Sequence, residues 1–161
     1  MSLKKIDKIQ SSSERLTMGK HTSHAFRNDP KHLAFSMSRY KFVSKILEDY
    51  NSALEVGAGD GFQSEIVRQN VKNLTLSDIA EYNKKDYLNS FPNRSNYLIH
   101  DFTKKKLSKK FEAIYLNDVL EHIPKNKEVK FIKNIKYSLK KKWNNYCWNA
   151  HFGKPKVCFS S

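Results

Sequence analysis

The chain has 161 residues, 39% of them hydrophobic, which suits one domain with a real core and excludes a wholly disordered polymer. Thirty Lys and Arg stand against 16 Asp and Glu, a net charge of +14 that admits an anionic partner such as nucleic acid, although only five of those cations are Arg and the abundance of Lys and Asn is what an A/T-rich genome writes. The two Cys, Cys147 and Cys158, make no disulfide framework, and no apolar run approaches the roughly 20 residues that cross a bilayer.

In chain order, Met1-Ser-Leu-Lys-Lys5 carries charge but no apolar segment follows it, so the expectation is a cytoplasmic protein without a secretory leader. Residues 1–20 are polar and read as a loose arm or short helix. Residues 21–35 hold His21, His24 and His32 and an Asp29-Pro30 turn, and the three His are not at a convincing metal spacing. From Ser36, a candidate N-cap, Tyr40, Val43 and Leu47 recur at helical spacing. Ala53-Leu-Glu-Val56 is a short apolar run ending at Gly57, as a buried strand would. Helical spacing at Phe62, Ile66 and Val67 follows, then strands at residues 74–78 and 97–101, with a poorer helix between them closed by Pro92. A Lys-dense connection leads into a fourth strand at 111–117, and helix signals resume after Pro124. Strand and helix alternate, which predicts an α/β, doubly wound parallel sheet with helices on both faces.

In such sheets ligands sit at the carboxyl ends of the strands. The predicted strands end in Glu55-Val-Gly-Ala-Gly-Asp-Gly61, in Asp78, in His100-Asp101 and in Asn117-Asp118. Glycines let the backbone turn tightly and approach a ligand. Asp78 lies 21 residues after Gly57, the spacing at which a carboxylate accepts from a ribose diol. The G-x-G-x-G spacing is not the dinucleotide fingerprint. Glu55 would repel a pyrophosphate, whereas it would favour the cationic methionine end of S-adenosylmethionine.

These four segments resemble, in order, the successive motifs of class I S-adenosylmethionine-dependent methyltransferases, over about residues 20–140. The stretch from Asp29 to Phe42 resembles the lead-in of one bacterial subgroup of that family. The resemblance implies a Rossmann-like fold that transfers a methyl group to an acceptor, small or macromolecular, which the sequence does not identify. It implies that Glu55, Gly57, Ala58 and Gly59 line the methionine portion. Asp78, with Ile79 beside it, would hold the ribose. Asp101 and Phe102 would meet the adenine, and Asn117 the cofactor's near side. Arg39 would clamp the carboxylate bidentately, or Tyr40 would close over the cofactor. His122 is a candidate general base, and no metal is implied. Each residue has a plainer alternative: turn glycines, a helix cap at Asp78, a turn at Asp101, and surface positions for Arg39 and His122.

After Lys142 the pattern collapses, so the expected domain is 21–141 and residues 142–161 read as a tail foreign to the fold. Read one base later, the codons from Trp143 would write Gly, then Ile or Thr three times, then Val or Ala, then Gly; with T in the wobble positions this is Gly-Ile-Ile-Ile-Val-Gly, a turn and a strand, after an A-rich Lys tract prone to slippage. The expectation is therefore a sheet incomplete after strand four, with an unpaired edge. Two further alternatives follow, a truncated non-catalytic remnant and a basic nucleic-acid-binding domain.

Overall fold

A computed structural model describes residues 15–140, together with the backbone of 147–150 and 156–158. Helix α1 (Lys20–Asn28) and helix α2 (Pro30–Ile46) precede strand β1 (Ser52–Val56). Then come α3 (Ser64–Arg68), β2 (Asn73–Asp78), α4 (Glu81–Ser90), β3 (Tyr97–Ile99) and β4 (Ala113–Asn117). A single 3-10 turn at Leu120–His122 leads into α5 (Lys125–Tyr137), and the short strands β5 (Cys147–Ala150) and β6 (Lys156–Cys158) follow.

Helix α2 starts six residues before the expected cap at Ser36. The Asp29 carboxylate accepts from the His32 N–H at 2.9 Å and Pro30 fills the first helical position, where its missing N–H costs nothing. Lys20, at the end of the expected arm, and residues 21–28, for which the sequence reading names no helix, form α1.

Among the described residues the sheet order is β3-β2-β1-β4-β5-β6. Strands β1 to β5 run parallel to one another and β6 is antiparallel to β5. The fold class is the expected one, but the expected end of the sheet at strand four is corrected. Residues Cys147–Ala150 pair with Ile114 to Asn117, so β4 is an interior strand. Residues 141–146, 151–155 and 159–161, on which much of the reading-frame expectation falls, lie outside the described residues.

Strand alternation sorts the core into two layers. Ala53, Leu74, Leu76, Ala113 and Tyr115 face Tyr40, Val43 and Leu47 of α2, Val67 of α3 and Tyr87 of α4. Leu54, Val56, Ile114 and Leu116 face Phe131 and Ile135 of α5 on the other side. Helices therefore cover both faces, as near-continuous apolar strands require. The chain runs outward from β1 to β3, then returns to place β4 on the opposite side of β1. The switch point between β1 and β4 opens a crevice at their carboxyl ends.

Candidate functional site

Residues Gly57 to Gly61 form the turn out of β1. The Gly57 and Ala58 N–H groups donate to the Ser77 carbonyl at 2.8 and 3.0 Å, which fixes the turn against the end of β2. Gly59 has φ +57, and a Cβ there would point into open space, so the backbone itself is the surface a ligand meets. Gly61 has φ +67, and its Cβ would lie 2.5 Å from the Tyr87 ring, so only glycine fits that packing.

A cavity of about 600 Å³ opens over this turn, within the range of roughly 300–1,000 Å³ usual for small-molecule sites. Gly57, Gly59, Asp78, Ile79, Asp101, Phe102 and His122 all line it, so seven of the expected site residues, drawn from four strand ends, meet there. A second cavity of about 370 Å³ lies on the other side of the turn and includes Ala58 and Asn117. The two share His21, Gly57, Gly59 and Asp118.

The polar groups are held in place from below. Asp78 accepts from the Gly59 N–H at 3.0 Å through one oxygen and from the Ala80 N–H at 2.9 Å through the other. Each oxygen keeps a second lone pair for a ligand hydroxyl. Asp101 accepts from the Thr103 N–H at 2.9 Å and hydroxyl at 2.6 Å, and Lys104 lies 3.3 Å from its second oxygen. Partial burial pushes the Asp101 carboxyl up, but the Thr103 and Lys104 contacts outweigh it and hold it below the usual range. Ile79 is 72% exposed at the cavity edge, and Phe102 is buried behind it, edge-on to His100 and Phe131. Asn117 is buried, and although its approach to the Tyr40 hydroxyl works to lower that tyrosine's pKa, neither its amide oxygen nor its nitrogen makes a hydrogen bond of good geometry among the described residues. The side-chain oxygen of Asn83, beside the larger cavity, is in the same state. Buried amide atoms without a well-formed partner at one crevice are groups that a ligand or water satisfies.

Two expected positions differ. Glu55 lines neither cavity. Strand parity turns it towards α2, where it is fully buried and accepts from the Tyr40 hydroxyl at 2.8 Å and the Tyr115 hydroxyl at 2.6 Å. Burial pushes its carboxyl up, and the Ser64, Tyr115 and Tyr40 hydroxyls pull it part of the way back. Burial and the Glu55 charge in turn raise both tyrosines well above their ordinary value. Arg39 also lines neither cavity. Its guanidinium forks onto Asp118, with Nη1 donating to Oδ1 at 3.0 Å and Nη2 paired with Oδ2, so its bidentate capacity is spent inside the protein. Tyr40 borders the smaller cavity, but its hydroxyl is committed to Glu55.

Three further residues belong to the crevice. Asp118 has φ 52, a left-handed conformation rare for a non-glycine residue and concentrated at functional sites. Its place in the Asn117-Asp118 pair was the available signal. Asp60 is buried and accepts from the Thr22 N–H and hydroxyl at 2.7 and 2.8 Å, clasping α1 to the glycine turn. This holds His21 over the junction of the cavities, with its ring stacked on Tyr82 at 5.9 Å. No sequence spacing marked that contact. His21, His24 and His32 all border the smaller cavity. Among the described residues no group of three or more His, Cys, Asp or Glu is placed to hold a metal ion. Nor is any helix among them long and apolar enough to cross a membrane.

Residues 24–143 match the pattern of a family described as a methyltransferase domain. A comparison with curated proteins finds no match. Among solved structures, the N-methyltransferase NodS from Bradyrhizobium japonicum, in complex with S-adenosyl-L-homocysteine, superposes with a TM-score of 0.63 at 16% identity, over 81% of this chain and 70% of NodS. An S-adenosylmethionine-dependent methyltransferase from Clostridium acetobutylicum gives 0.64 at 16% identity, over 80% of this chain and 56% of that one. DesVI from Streptomyces venezuelae gives 0.59 at 15% identity, over 73% of this chain and 53% of its own. At these identities the likeness is one of fold. The chain spans 70% of NodS and little more than half of the other two.

Proposed function

The chain belongs to the methyltransferase-domain family, and from that premise we propose that it binds S-adenosylmethionine in the crevice and transfers its methyl group to an acceptor. The observation that carries this is the convergence of Gly59, Asp78, Ile79, Asp101 and Phe102 on one cavity, with the unpartnered Asn117 amide beside it.

The residues fit the cofactor. The open space at Gly59 admits its backbone-hugging portion. Asp78 accepts from ribose hydroxyls with the lone pairs its backbone contacts leave free. Ile79 and Phe102 cover the flat adenine, and Asp101 accepts from its amino group through the oxygen it shares with Lys104. The Asn117 amide, with a donor and an acceptor both unused, meets the amino-acid end. Glu55 acts beneath the turn: its strand-end carboxylate ties β1 to α2 and β4. When bound, the cofactor supplies an electrophilic methyl on a sulfonium. The protein's task is then orientation and exclusion of water, and effective molarity supplies the rate. A base is needed only for a weakly acidic nucleophile, and His122 in the cavity wall is the candidate.

Calorimetric titration with S-adenosylhomocysteine tests the reading. The chain is expected to bind, and Asp78→Ala to weaken binding at least about tenfold, since hydrogen bonds to a charged group contribute roughly 1.5–3 kcal/mol each. A folded chain that gives no binding heat over a range of temperatures would count against the enzyme and for a non-catalytic remnant.

A further inference from the structure

The chain's positive charge is not spread evenly. Residues 15–102 carry twelve Lys or Arg against ten Asp or Glu, close to balance. Residues 103–140 carry eleven Lys against four acids, so fewer than a quarter of the residues hold +7 of the chain's +14. A compositional preference for Lys acts on every segment alike and does not explain that contrast.

The fold gathers this excess onto one surface. Lys127, Lys130, Lys133 and Lys136 recur at every third position of α5, so they rise about 4.5 Å per step and slant around its outer side. All four are exposed, while Phe131 and Ile135 point into the core. The loop before β4 joins the stripe at its far end. Ser138 donates to the Leu107 carbonyl at 2.9 Å, and Asn134 to the Phe102 carbonyl at 2.7 Å. The Lys106 and Lys110 ammonium groups lie over the Tyr137 ring at 4.2 and 3.6 Å. At the near end Lys127 lines the larger cavity itself. Three of the four acids of this segment pair away from the stripe, Glu112 with Lys140, Asp118 with Arg39 and Glu128 with Lys125, and the fourth, Glu121, lies in the turn before α5. A lysine track thus starts at the mouth of the crevice and runs the length of a helix.

We propose that this track is the docking surface for the methyl acceptor, and that the acceptor is a single-stranded nucleic acid. The chemistry favours that partner over others. A linear, repeating array of point charges matches a linear, repeating array of phosphates. Tyr137, 42% exposed, holds the Lys106 and Lys110 ammonium groups over its ring and so fixes two further positive charges at the far end of the track. A base lying in a duplex would have to leave its stack to enter a cavity of this kind, and a single strand has no such cost. The stripe carries no apolar wedge of the sort that anchors a helix in a bilayer, since Val129 is the only exposed aliphatic side chain of α5. The assignment of this surface to an acceptor rests on the methyltransferase reading; the binding of the strand does not.

The test uses the full chain and a 5′-labelled 20-nucleotide single-stranded RNA, with fluorescence anisotropy followed over a range of KCl concentrations. Binding is expected, and its log–log salt slope should be steep. The triple variant Lys130→Glu, Lys133→Glu, Lys136→Glu should lose at least about tenfold in affinity, and its slope should flatten by about 2, given roughly 0.7 per phosphate contact on a single strand. The charge-matched variant Lys31→Glu, Lys41→Glu, Lys72→Glu should keep most of its affinity. Melting curves and S-adenosylhomocysteine titrations should be the same for all three proteins. Equal losses in both triple variants would overturn the proposal, because net charge rather than the track would be acting. So would absent RNA binding by the parent chain near 0.1 M salt, or tighter capture by phosphatidylserine vesicles than by RNA. A parent chain that binds RNA but no S-adenosylhomocysteine would overturn the acceptor assignment through the methyltransferase reading, and leave the strand-binding surface standing.

Discussion

A buried amide without partners costs a protein stability, so it persists where a ligand uses it. Asn117 is such a group. Replacing it by Leu, close in size and without polar atoms, should stabilise the fold by about 1 kcal/mol and weaken S-adenosylhomocysteine binding about tenfold or more. Paired melting and calorimetric curves check both signs, and a purely structural Asn would show a loss of stability with affinity unchanged. Glu55 makes the complementary prediction. In the unfolded chain a Glu ionises near about 4.3. In the folded chain burial raises that value. Between the two, the unfolded state has released its proton while the folded state retains it. The Glu55 contribution to stability is therefore complete below the unfolded value and is lost as pH rises through the folded one. Glu55→Gln removes this component, so the melting temperature of the parent chain should decline relative to the variant as pH climbs from about 4. A constant difference across that range would show that Glu55 does not keep its proton on folding. At this scale the sequence was legible where spacing carries the meaning. Asp78, Asp101 and the glycines are strand-end residues, and each lines the crevice. It was illegible where orientation decides. Glu55 precedes the turn as expected, but strand parity sends its side chain to the α2 layer. Arg39 is spent on Asp118, a partner 79 residues away that no local pattern announces.

The strand–turn–helix element around β1 sets the shape of the site, and Gly61 is where it is most tightly determined. Ala at this position must adopt φ +67 and place a Cβ 2.5 Å from Tyr87 and 2.8 Å from Leu76. Left-handed backbone costs about 1–2 kcal/mol and overpacking about 1–3, so Gly61→Ala should destabilise the fold by about 3 kcal/mol in denaturant titration. A loss below about 1 kcal/mol would mean that the turn is not packed on Tyr87. Elements with strong internal period were readable in advance: the apolar runs of β1, β2 and β4, and α5 from its apolar residues after Pro124, of which Ile135 is buried while Val129 and Tyr137 are exposed. The start of α2 was not, because Asp29-Pro30 suits a turn and a helix entry equally. Nor was β5. Cys147-Trp-Asn-Ala150 has neither the alternation nor the β-branched content of a buried strand, and its pairing with β4 is set by the open edge beside it rather than by its own composition.

For the whole molecule, one topological fact organises the rest. Because β4 returns to the far side of β1, four strand ends open into one crevice between the two layers of helices. That was readable from the alternation of elements. The N-terminal closure of the crevice was not, since it depends on Asp60 gripping Thr22 across 38 residues. The most direct test of the account is an amide NMR titration of the 15N-labelled chain with S-adenosylhomocysteine. The account predicts saturable shifts of the Gly57, Gly59, Ile79, Asp101 and Phe102 amides, which line the cavity, with little change at α5 residues far from it. Saturable binding that shifts other amides and leaves these five in place would contradict it.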